Sequence, residues 1–183
     1  MQKNAKNTKI SLFGSLKVMT MAAMLTAMSV VIGIFCKSFL NFGMGLYRVT
    51  FENLPILLSG IMFGPIVGGI VGAATDIISY LLSPQTYPIN LTVTLGATAI
   101  GAISGLLSQC VFKKRTKARI IFSCAAAHIV GSMIIKPIGL FAIYGWAVLV
   151  RVPMYLVIAP IEILLICAMY RNAAAKKLID GEV

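Results

Sequence analysis

The chain has 183 residues, 59% of them hydrophobic and 11% charged, with a mean hydropathy of +0.95. Soluble domains carry about 25% charged residues, so this composition excludes a water-soluble globular fold, and the length leaves room for about six spans of roughly 20 residues and no extramembrane domain. The formal net charge of +11 is not a nucleic-acid footprint, because the basic residues fall in clusters between apolar runs and not on one accessible face.

Lys3, Lys6, Lys9 and Lys17 accompany a first apolar run over about 12–35. That run exceeds the h-region of a signal peptide and lacks a cleavage pattern, so it reads as a retained span. Its Ala23-x-x-x-Ala27 spacing makes a small-residue face for close helix approach, within the bundle or against a partner. Further runs follow at about 53–63, 66–82, 91–112, 118–145 and 150–170, none with the polar stripe of a soluble helix. Residues 53–82 are long for one span and short for two, and Gly64-Pro65 divides them: Gly ends one helix and Pro opens the next. With that break, the cluster Lys113, Lys114, Arg115, Lys117 and Arg119 and the tail residues Arg171, Lys176 and Lys177 share a side with the N-terminal lysines. Twelve of the sixteen basic residues then lie inside, as positive-inside bias requires, whereas a single span would put the last two clusters outside. The expected architecture is all-α: one integral membrane domain of six transmembrane helices, with a short basic N-terminus over about 1–11, a basic tail over 171–183 and both ends in the cytoplasm. Gly64, Gly68 and Gly72, and Gly101 with Gly105, recur at the four-residue spacing that lets helices pack closely.

Cys36, Cys110, Cys124 and Cys167 are scattered, with no C-x-x-C pair, so neither a zinc site nor a disulfide framework is indicated. His128 is the sole histidine, which excludes a bis-histidine haem. No phosphate-binding loop occurs, so ATP-driven work belongs to other subunits. No cofactor, metal or enzymatic activity is expected.

Ionisable residues at membrane depth cost at least about 2.5–3.5 kcal/mol near the centre and need partners or a wet cavity. Counted along the spans, Asp76, His128 and Glu162 fall near mid-membrane, where they are read as internal hydrogen-bonding groups or, alternatively, a proton relay. Lys37, Arg48, Lys136 and Arg151 fall near the outer face against one acid, Glu52. A cationic excess there fits an anionic ligand held by charge-assisted hydrogen bonds; the bland alternative is snorkelling to headgroups, with an Arg48–Glu52 pair. Eleven of the sixteen aromatic residues lie in the outer half, more than a two-sided interfacial belt explains, and Tyr87, Tyr144 and Trp146 beside Lys136 and Arg151 are the candidates for stacking on a flat ring.

Ala23-x-x-x-Ala27, the segment Arg48-Val-Thr-Phe-Glu-Asn-Leu-Pro-Ile56 and the stretch from Phe63-Gly64-Pro65 to Asp76 resemble the substrate-binding S subunits of energy-coupling factor (ECF) vitamin transporters, over nearly the whole chain. The stretch ending at Asp76 is most similar to the folate-specific members. The resemblance implies a six-helix fold, a vitamin site near the outer face of a prokaryotic cytoplasmic membrane, and assembly with a transmembrane coupling subunit and two ATPases. It implies that Ala23 and Ala27 dock the first span on the coupling subunit, and that the S subunit topples to carry vitamin inward. Folate matches the residue pattern in three respects: a flat pterin for aromatics, an amide-like edge for groups such as Asn90, and two carboxylates for Arg48, Lys136 or Arg151. The rival readings are an S component for thiamine, riboflavin or pantothenate, an autonomous secondary transporter, and a membrane enzyme built on Asp76, His128 and Glu162.

Overall fold

The computed structural model of the protein describes residues 16–42, 47–82, 90–111 and 117–172. Helix α1 (Leu16–Phe39) leads into a two-residue antiparallel ladder, β1 (Asn41–Phe42) with β2 (Tyr47–Arg48), in which Asn41 faces Arg48 and Phe42 faces Tyr47. Next come α2 (Asn53–Phe63), α3 (Pro65–Leu82) and α4 (Leu91–Leu106), the last prolonged by π turns over Leu107–Val111. A continuous helical rod then runs through α5 (Lys117–Ala127), a π segment (His128–Ile135) and α6 (Lys136–Tyr144). A 3-10 stretch (Gly145–Val150) returns the chain into α7 (Arg151–Arg171). The helical run Lys117–Arg171 is 55 residues long, about 80 Å if straight, far more than a bilayer core of about 30 Å. It folds back at Gly145, whose φ of 55° suits a residue without Cβ, and α5 packs on α7. Six helical rods therefore stand side by side among the described residues.

Helix α2 is the centre of the bundle. It spans only 11 residues, and everything from Pro55 to Ile61 is buried, as befits a helix apolar on every face. Ile56, Leu57 and Ile61 meet Val67, Val71, Ile100, Ile120 and Ile166 in one core. Gly64 ends α2 with φ of 97° and its N–H on Gly60 O, and α3 starts at Pro65, where the missing donor costs nothing. The glycines seam α2, α3 and α4 together: a Cβ on Gly101 would come within 2.0 Å of Gly68 O, and one on Gly60 within 2.1 Å of Ser104 Oγ. The outward faces carry Leu16, Met24, Leu81, Leu91, Leu156 and Leu164, each more than 60% exposed, a surface suited to lipid and not to water.

The π segment has a local cause. Pro137 cannot donate, and its ring would collide with the carbonyl one turn earlier; wider turns before it make room. Lys136 N–H accordingly reaches five residues back, to Gly131 O. Gly131 lets this widened stretch lie against α4, where a Cβ would meet Ile100 at 2.4 Å and Gly96 O at 2.8 Å. His128, Ser132, Lys136 and Gly139 all turn inward along it.

Candidate functional site

Three polar side chains converge where α2 begins. The ladder brings the chain back over α1, so that Glu52 O accepts from Ser29 Oγ at 2.5 Å and the Glu52 carboxylate lies against Gly33, where a Cβ would stand 2.8 Å from Oε2. From the opposite wall comes Lys136, its stem over Gly96 of α4, where a Cβ would stand 2.6 Å from Lys136 Cγ. Its Nζ donates to Asn53 Oδ1 at 3.1 Å and lies 3.9 Å from Glu52 Oε1. Lys136 is 5% exposed and Asn53 fully buried, so this lysine points into the bundle and does not snorkel to headgroups. Glu52 stands out in the sequence as the lone outer acid, whereas Asn53 carries no charge to count and its visible cue is its place in the Arg48–Ile56 segment.

The other candidates lie near the same end. Arg151, half-buried at the start of α7, holds its guanidinium carbon 5.3 Å from the centroid of the half-buried Tyr144 ring, a cation–π arrangement. Asn90 caps α4, its Oδ1 accepting from Thr92 N at 3.0 Å, and its Nδ2 donates to Gly139 O, so both ends of the amide tie α4 to α6. Trp146 is 77% exposed and meets Phe141 edge-to-face at 5.5 Å, on the outside of the bundle. Arg48 is described only through its backbone in β2, which lies against α7, and Tyr87 lies outside the described residues. Lys37 Nζ donates to Ser79 O at 3.4 Å.

At mid-depth the ionisable groups separate. His128 Nε2 stands 2.8 Å from Glu162 Oε2, both fully buried, joining the π segment to α7, with Ser132 Oγ 3.4 Å from His128 Nδ1. Asp76 Oδ2 instead accepts from Thr94 Oγ1 at 2.6 Å, joining α3 to α4. No group of three metal-ligating side chains occurs among the described residues. A surface groove of about 430 Å³ between α6 and α7, lined by Met133, Pro137, Phe141, Val148, Leu149 and Val152, contains none of the candidate residues. Ala23 and Ala27 are exposed on α1; Ala23 borders a second groove, of about 170 Å³, with Thr26, Val67, Ile70 and Ala74.

Residues 17–179 match the family described as the substrate-specific component of ECF transporters. The chain belongs to that family. This ECF substrate-specific component is 35% identical over 66 residues to the folate transporter FolT of Clostridium novyi (strain NT), a stretch covering 34% of this chain and 38% of that protein. It is 36% identical over 63 residues to an uncharacterized protein of Mycoplasma pneumoniae, covering 34% of this chain and 13% of the other. The aligned stretches therefore span well under half of either relative. Among solved structures, "Crystal structure of FolT bound with folic acid" superimposes with a TM-score of 0.66 at 26% identity, over 82% of this chain and 90% of that one. "Structure and mechanism of the S component of a bacterial ECF transporter" does so with a TM-score of 0.61 at 23% identity, over 86% and 95%, which speaks for the fold alone. Family membership and the apolar helices together make the component a membrane protein.

Proposed function

We propose that this component captures folate at the Lys136 end of its bundle and hands it to an ECF energising module, acting by binding and carrying out no catalysis of its own. The observation that carries the reading is the likeness, over 82% of the chain, to a protein solved with folic acid. The chemistry of the site supports it. Arg151 is a cation half-buried in an apolar bundle, and an acidic guest offsets the cost of keeping it there, while the buried Lys136 faces Glu52 and Asn53. Arg48 belongs to the same end through β2, and the half-buried Tyr144 offers ring surface. In this reading the site opens to the outer face of a prokaryotic cytoplasmic membrane, the exposed Ala23 and Ala27 face meets a transmembrane coupling subunit, and two ATPases supply the energy. The chain itself needs no cofactor.

Equilibrium titration of the purified chain with folate, thiamine, riboflavin and pantothenate is the test. Tight binding of folate alone is expected; tight binding of thiamine, riboflavin or pantothenate with none for folate refutes the assignment.

A further inference from the structure

At the start of α2 the Asn53 amide leaves a donor unused among the described residues. Lys136 offers only donors, so the Asn53 atom facing it at 3.1 Å is the carbonyl oxygen, and the amide nitrogen Nδ2 is the atom turned elsewhere. Asn53 is fully buried, and Nδ2 has no hydrogen-bond partner among the described residues. Leaving such a donor unmade costs the desolvation of the group, which makes it a strong constraint on what occupies the site. The hydroxyls of Thr50 and Ser79, 1% and 2% exposed, are likewise without a hydrogen-bond partner. Ser79 Oγ and the Glu52 carboxylate both lie within 3.5 Å of the point where a Cβ on Gly33 would sit.

The charge arrangement is equally informative. Glu52 at 3.9 Å already supplies Lys136 with a counter-charge, so a ligand carboxylate brought to Lys136 would also meet the like charge of Glu52, whereas a neutral edge carrying one acceptor and adjacent donors would not. Such an edge finds a carboxylate acceptor in Glu52 and an amide donor in Asn53. We infer that Glu52 and Asn53 read the amide-like edge of the ligand's flat ring, the carboxylate accepting from ring N–H groups and Asn53 Nδ2 donating to the ring carbonyl. Lys136 is then a positioning residue that orients both, and the carboxylates of the ligand belong to the Arg151 side of the site. This inference rests on the folate reading above and narrows it.

Binding of folate, of pterin alone, of the tail fragment 4-aminobenzoyl-glutamate and of the 4-amino analogue of folate is measured by calorimetric titration on the purified full chain. The unsubstituted protein should prefer folate to the 4-amino analogue by roughly tenfold or more, because that analogue replaces the ring carbonyl with a second donor. Asn53→Leu and Glu52→Gln should each weaken folate and pterin by roughly tenfold or more and leave the tail fragment within about twofold, a split that a merely structural role would not produce. Asn53→Asp, which exchanges donor for acceptor, should shift the preference toward the 4-amino analogue. Equal affinity of the unsubstituted protein for folate and the analogue overturns the inference without any variant, as do parallel losses of ring and tail. Unsubstituted protein that binds no folate removes the folate reading and this inference together; folate binding without ring discrimination removes this inference alone.

Discussion

Helices α2, α3 and α4 cross backbone against backbone, while the hairpin from Lys117 to Arg171 is joined by the His128–Glu162 contact and carries π turns, Pro137 and Pro160. In the first region backbone fills the crossing: the carbonyl of Gly68 occupies the place a Gly101 side chain would take. In the second, widened turns give up helical regularity to present His128, Ser132 and Lys136 to the interior. The candidate site stands where the two regions meet, Glu52 and Asn53 fixed at the entrance to α2 and Lys136 and Arg151 carried by the hairpin. A ligand held there bridges a glycine-packed wall and one built on widened turns.

The sharpest way to break the contrast is to put a side chain into the rigid seam. Gly101→Val should cost about 3 kcal/mol or more, because the obstacle is backbone and cannot rotate away, and should appear in detergent as a large fall in melting temperature or loss of the monodisperse peak in size-exclusion chromatography. In the hairpin, Glu162→Leu should destabilise by about 1–3 kcal/mol through the partner it strands, and the double change His128→Leu with Glu162→Leu should recover part of that loss in a thermal double-mutant cycle. Arg151→Ala should weaken folate by about 1.5–3 kcal/mol, roughly 10- to 150-fold by titration, through loss of the cation that faces the ligand carboxylates. The smallest effect belongs to Trp146→Ala, within about 0.5 kcal/mol in stability and with near-normal folate affinity, because that ring lies outside against Phe141. A large loss of affinity there would draw the outer aromatic rim into the site.

Much of this organisation is legible in the chain itself. Apolar runs mark the helices because lipid offers a spanning backbone no other hydrogen-bond partners, and Gly64-Pro65 shows where α2 gives way to α3. The glycine spacing indicates close packing, though not that Gly60 completes the crossing, since that depends on which helices are neighbours. Lys136 stands out as an intramembrane charge, but its direction comes from the π turns ahead of Pro137, which periodicity at 3.6 residues does not reveal. Glu52 draws attention as the lone outer acid, and pairing it with Arg48 is natural from four-residue spacing; the tertiary fold brings Lys136, 84 positions away, within 3.9 Å. Asn53 is hidden for a simpler reason. A neutral amide beside an apolar run carries no charge to count, and only burial with an unused donor exposes its significance. Asn90 illustrates the converse, a polar residue in a suggestive place whose amide is engaged in capping α4 and holding Gly139.

The most direct measurement is an experimental structure of the chain with folate bound. The account predicts the ring lodged at the entrance to α2, within hydrogen-bond distance of Glu52 and Asn53 Nδ2, with its carboxylates on the Arg151 side. Folate seated in the groove between Met133 and Val152, or bound with Lys136, Glu52 and Asn53 untouched, would contradict it.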